Sequence, residues 1–110
     1  MLDLRRGGHR EVAASVCTGA FLLAAAGRLR DRPATTHHED VDDLAARDDV
    51  GEVRTGVRWV DDGAVVTGAG LSSGLALGLH LVDRVAGRDL AVATAAQIEH
   101  PWRPDEGITV

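Results

Sequence analysis

Glu11-Val12-Ala13-Ala14-Ser15-Val16-Cys17-Thr18-Gly19-Ala20-Phe21-Leu22-Leu23-Ala24-Ala25-Ala26-Gly27 is the stretch on which the fold turns. Its first six residues are mostly small and apolar, the pattern of a short buried strand. Residues 20–26 are apolar throughout and rich in strong helix formers, which predicts a helix buried on all sides and stopped by Gly27. Cys17-Thr18-Gly19 must therefore turn the chain from strand to helix. At such a turn, unpaired N–H groups and the helix dipole favour negative charge. A cysteine placed there is stabilised as its thiolate, the reactive form. Gly19 lets the backbone bend sharply, and the small neighbours Ser15, Thr18 and Ala20 keep the sulfur accessible. The N–H of Thr18, next after the nucleophile, would be one donor of an oxyanion hole. A free cysteine is equally at home as a small buried hydrophobe, and spacing alone does not choose between the two readings.

Outward from this turn, Arg32-Pro33-Ala34-Thr35-Thr36-His37 reads as a second short strand that begins at an edge because of its proline. Residues 38–47 fit a surface helix with Val41, Leu44 and Ala45 inward, and Glu39, Asp40, Asp42 and Asp43 suit its N-terminal end. Two β-rich runs, 53–60 and 64–67, flank Asp61-Asp62-Gly63 and predict a hairpin. Leu75, Leu79, Val82 and Ala86 fall on one helical face, and Gly87 ends that helix. A last helix over 89–99 has Leu90, Ala93 and Ile98 as its apolar points, and beyond Pro101 and Pro104 the tail is expected to fray. Residues 1–10 read as a helix end or lead-in. The alternation of strands and helices predicts an α/β domain with helices covering a largely parallel sheet.

The chain of 110 residues suits one domain, and its 45% of apolar residues leans on alanine rather than aromatics. A net charge of −5 argues against a nucleic-acid surface, since phosphate binding needs clustered Lys and Arg. The run Ala20 to Ala26 is far below the ~20 residues a membrane-spanning helix needs. One cysteine can form neither an internal disulfide nor a cysteine-rich zinc site. The first residues show no apolar signal segment. The expectation is a cytoplasmic protein without metal or cofactor, acting on a small molecule.

Other candidates compete with Cys17. Gly70-Leu71-Ser72-Ser73-Gly74 matches G-x-S-x-G between a strand and a helix, with Asp83 or Asp89 and then His100 following in hydrolase order. The chain is too short for an α/β-hydrolase sheet, and a helix-capping serine in a glycine turn accounts for the same residues. His37 and His38 are adjacent and point to opposite sides if extended. His37 would share the sheet rim with Cys17 if the two strands are parallel neighbours, and there it could take the thiol's proton or stabilise the thiolate. The alternative is a cap or solvated loop residue. His80 reads as a packing or surface residue, His9 and His100 carry no signal, and Trp59 and Trp102 read as packing anchors.

These segments together resemble the ThiJ/PfpI family of the class I glutamine amidotransferase-like superfamily. Val16 to Gly27 is similar to its nucleophile-elbow segment, and Ala34-Thr35-Thr36-His37 to the strand that carries its histidine. Trp59 to Gly63 with Val65 to Thr67 is similar to its hairpin; Gly70 to Gly74 with Leu79 to Val82 is similar to its glycine turn and long helix. The matched segment runs over about residues 12–100, closest to isonitrile-hydratase-like proteins and the sensing domains of AraC-type transcription regulators. Ala76 and His38 depart from that branch, which often has an aspartate and a tryptophan there.

The resemblance implies a flavodoxin-like three-layer sandwich, of which residues 1–110 form a single C-terminal part. Cys17 and His37 are then catalytic, and Thr18 and Gly19 supply the oxyanion backbone. The activity implied is isonitrile hydratase or amide hydrolase-like, weak or absent in so short a chain. The alternative is a non-catalytic ligand-sensing domain without its DNA-binding part. The resemblance also places the acid that partners the cysteine in an earlier stretch, and half a sheet predicts self-association.

Overall fold

The structure, a computed structural model, describes residues 2–6, 10–70 and 72–110. Its strands are β1 (Leu2–Arg6), β2 (Arg10–Ser15), β3 (Trp59–Asp61), β4 (Val65–Gly68) and β5 (Ile108–Thr109). Its helices are α1 (Gly19–Ala25), α2 (Val41–Ala45), α3 (Ser73–Ala86) and α4 (Arg88–Gln97). The strands form one sheet in the order β1-β2-β4-β3-β5.

β2 and β4 run parallel at the centre, with Ala13 opposite Val65, Ala14 opposite Val66 and Ser15 opposite Thr67. Because side chains alternate along a strand, this register sorts the core into two faces. Ala13 and Val65 pack with Ala20, Leu23 and Ala24 of α1, with Leu29, and with Leu44 of α2. Val12, Ala14 and Val66 pack on the opposite face with Trp59 and with Ala76, Leu77 and Leu81 of α3. The fold is thus an α/β sandwich of three layers. Leu23, Leu29 and Leu44 are wholly buried, and each contributes roughly 1.5–3 kcal/mol of hydrophobic stabilisation.

The hairpin forms with β3 antiparallel to β4, but its first strand is only Trp59–Asp61 rather than the expected 53–60. Gly63 takes a left-handed φ of 99°. The side chain of Asp61 accepts from the Gly63 N–H at 2.8 Å, and that of Asp62 accepts from the Val65 N–H at 3.0 Å. These local bonds are the reason aspartates suit such turns.

Several expectations are corrected. Leu2–Arg6 is a strand, antiparallel to β2, and β3 is antiparallel to β4, so the sheet is mixed rather than largely parallel. The 34–37 segment is extended but joins no sheet; apart from one bridge from Ala34 to Val53, side chains satisfy its neighbours. The Thr35 N–H donates to Thr67 Oγ1, and Thr35 Oγ1 donates to the Arg54 carbonyl. Helix α1 is buried on one side only, with Leu22 63% exposed. The α3 stripe holds at Leu79, which is buried, but not at Leu75, which is 53% exposed, and Ser73, Ala76, Leu77, His80 and Leu81 also face inward. In α4 the inward residues are Ala91 and Ala95, and Leu90 and Ile98 are about half exposed. Small residues let helices approach closely, so alanines occupy contacts that a hydrophobicity scan assigns to leucines. The tail does not fray, because β5 pairs in parallel with β3, and Arg58 forms a 2.8 Å ion pair with Glu106.

Candidate functional site

Cys17 lies two residues beyond the C-terminal end of β2, and it holds a left-handed φ of 52°. Such a conformation is rare for a residue with a side chain and persists only where the surroundings enforce it. The enforcement is visible. The Cys17 N–H is shared between the carbonyls of Gly68 at 3.1 Å and Ala69 at 2.8 Å, just beyond the parallel neighbour β4. The Cys17 carbonyl accepts from Thr36 Oγ1 at 2.8 Å. The chain then turns into α1 through a bond from the Gly19 N–H to the Val16 carbonyl at 3.0 Å.

Cys17 is a free, half-buried thiol. The strained residue is thus the cysteine itself, not Gly19. A Cβ on Gly19 would lie 3.1 Å from the Ser15 Cβ, so the glycine serves close packing of the first helical turn on β2. Of the two backbone donors named from the sequence, the Gly19 N–H is engaged by Val16, and that of Thr18 pairs with no acceptor among the described residues.

His37 reaches the same rim. Its ring lies against Gly70, where a Cβ would stand 3.1 Å from His37 Cδ2 and 3.6 Å from Nε2. Cys17 and His37 therefore flank the Gly68–Gly70 segment, although among the described residues no hydrogen bond joins the thiol to the imidazole. His37 Nδ1 accepts from the Glu39 N–H at 3.1 Å. The Asp40 carboxylate, 3.8 Å from Nδ1, is beyond hydrogen-bond range. In the neutral ring this bond assigns the proton to Nε2, which makes His37 a donor towards the rim rather than a base. A cavity of about 460 Å³ opens beside it, lined among others by Thr36, His38, Asp42, Thr55, Gly70 and Ser72. A second, apolar cavity of about 240 Å³ lies between β2 and α3, lined by Ala14, Val16, Leu77 and Leu81.

The serine candidate does not assemble. Ser72 stands at the N-cap of α3 without a capping side-chain bond. Asp83 lies toward the other end of that helix, about 16 Å away by helical rise, where it pairs with Arg88 at 3.1 Å. Leu71 of the motif and His9 lie outside the described residues. Among the described residues no group of three His, Cys, Asp or Glu side chains could hold a metal ion, and no helix is long and apolar enough to cross a membrane.

Sequence reasoning missed a second polar cluster, at the hairpin end of β3. The Asp61 carboxylate is 3% exposed. It lies 2.7 Å from His80 Nε2 and accepts from Arg84 Nη1 at 2.9 Å. Arg84 also donates to the Gly63 carbonyl. The His80 ring stacks on Trp59, with centroids 4.8 Å apart. Burial pushes the Asp61 carboxyl up. The hydrogen bond with His80, the Gly63 N–H and the charge of Arg84 outweigh that and hold it below the usual carboxylate range. The signal in the sequence was the i, i+4 pair His80 and Arg84 on the helix face turned to the hairpin. Trp59 is a wholly buried core residue, as expected.

The chain is thus an α/β sandwich with a free cysteine of left-handed backbone at a strand-to-helix turn. The chain belongs to the DJ-1/PfpI family, whose family model matches residues 7–84. It is similar to an isonitrile hydratase of Pseudomonas putida, 37% identical over 90 residues. That match covers 82% of the chain and 38% of the hydratase, so the chain spans well under half of that relative's length. Among solved structures it resembles a ThiJ/PfpI family protein of Pseudomonas syringae, with a TM-score of 0.72 and 34% identity. There the likeness covers 86% of this chain and 38% of the other. It also resembles a cysteine-to-alanine mutant of a DJ-1 superfamily protein of Salmonella typhimurium, with a TM-score of 0.65 and 27% identity. That likeness covers 83% of this chain and 48% of the other.

Proposed function

We propose that this chain carries the nucleophile of a cysteine-dependent hydratase or hydrolase acting on a small electrophile such as an isonitrile or an amide. The observation that carries the reading is the left-handed Cys17, at φ 52°, tied at both its N–H and its carbonyl. Strain of this kind at a strand end presents a side chain outward for attack. The Cys17 thiol adds to the substrate carbon: the sulfur–carbon bond forms as the thiol proton passes to the substrate, the Thr18 N–H meets the charge that develops, and the Nε2–H of the neutral His37 ring donates a hydrogen bond to it without leaving the ring. Water then releases the product and restores the thiol. The similarity to an isonitrile hydratase supports the substrate class. The cavity beside Thr36 and Gly70 offers room for the rest of the substrate.

The test is conversion of a small alkyl isonitrile to its formamide, followed by NMR, with Cys17→Ala and His37→Gln beside the unaltered chain. Cys17→Ala is expected to abolish turnover. His37→Gln, whose amide can donate in place of Nε2–H, is expected to keep a measurable fraction. Turnover that survives Cys17→Ala refutes the reading. The second reading, a non-catalytic ligand-sensing domain, draws on the lack of a hydrogen bond from the Cys17 thiol to His37 among the described residues. It predicts saturable binding of a small molecule with no conversion and no loss of binding in Cys17→Ala.

A further inference from the structure

We infer that Thr36 is a positioning residue that aims the oxyanion donor of the elbow. This inference rests on the nucleophile reading above. The Cys17 carbonyl and the Thr18 N–H belong to one planar trans peptide, so they point in opposite directions. Thr36 is 1% exposed, and its hydroxyl holds that carbonyl at 2.8 Å. Fixing the carbonyl inward fixes the Thr18 N–H outward, away from the protein interior. The Thr18 residue is exposed, and its N–H pairs with no acceptor among the described residues.

The bond from Thr36 thereby does two things. It closes the second anchor on a cysteine whose left-handed backbone needs more than one, and it preorganises a donor where charge develops in acyl transfer. Thr36 also lines the cavity, but its hydroxyl proton is given to the Cys17 carbonyl rather than to the thiol or the substrate.

Two reactions of the same sulfur separate this role from a general structural one. Attack on p-nitrophenyl acetate forms the sulfur–carbon bond and breaks the carbon–oxygen bond to p-nitrophenolate, with the charge passing through the carbonyl oxygen. Alkylation by iodoacetamide displaces iodide at a saturated carbon and develops no oxyanion. Thr36→Val is expected to lower the acylation rate of Cys17 roughly tenfold or more and to leave the rate and pH profile of alkylation unchanged. Thr36→Ser is expected to restore acylation. Thr36→Ala carries the same expectation as Thr36→Val and replaces it should the valine disturb the fold. A ratio of the two rates that stays at the wild-type value in the hydroxyl-less variant overturns the assignment of Thr36, as does failure of Thr36→Ser to restore it. Absence of acylation in the unaltered chain overturns the nucleophile reading and this inference with it.

Discussion

Replacing Asp61 by asparagine removes one negative charge from the buried cluster and almost no volume. The carboxylate oxygens receive Arg84 Nη1 at 2.9 Å, the Gly63 N–H at 2.8 Å and the His80 ring nitrogen at 2.7 Å. Hydrogen bonds to charged groups contribute about 1 kcal/mol more than neutral ones. The Arg84 and His80 contacts therefore lose about 2 kcal/mol between them. Arg84 has only 17% of its side chain exposed, so solvent offsets little of the loss. In a domain of this size that corresponds to a fall in Tm of roughly 8–16 °C.

The effect also carries a pH signature. The folded Asp61 titrates below the usual carboxylate range, so its stabilisation is present above an ordinary unfolded value of about 3.9. That stabilisation is lost as pH falls through the lower folded value. Thermal unfolding followed by circular dichroism is expected to show the largest gap between wild type and Asp61→Asn at pH 5–8, narrowing below about pH 4. A loss below 3 °C at neutral pH, or a gap that stays constant down to pH 3, refutes this account of the Asp61 cluster.

Three further outcomes follow from packing. Leu23→Ala, at a wholly buried position between α1 and β2, is expected to cost about 2–5 kcal/mol in urea unfolding. Leu22→Ala, one residue away and 63% exposed, is expected to leave the urea midpoint unchanged. A Cβ on Gly107 would stand 2.0 Å from the Trp59 ring, so Gly107→Ala is expected to push the β5 segment off the sheet, read as faster hydrogen exchange of the Val110 N–H, which bonds to the Asp61 carbonyl.

The sequence by itself determined the elements whose signals are local. The strand before Cys17, the helix after Gly19, the Asp61-Asp62-Gly63 hairpin and the Gly87 break all rest on contacts within a few residues, and each stands in the structure. The strand-to-helix turn at Cys17 was legible for the same reason, because a strand run met a helix run there. Its left-handed backbone was not legible. Positive φ at a cysteine is imposed by Gly68, Ala69 and Thr36, which lie 51, 52 and 19 positions along the chain and meet it only in the folded sheet. The same holds for His37, whose donor role follows from the Glu39 amide rather than from residue type. The α4 face was not legible because alanines rather than leucine make its contact, since periodicity weighs side-chain size and close packing rewards its absence. Asp61, His80 and Arg84 read as unrelated polar residues until β3 and α3 were packed together. Local propensity names the elements, but which polar groups face one another depends on strand register and helix rotation, and tertiary packing alone decides those.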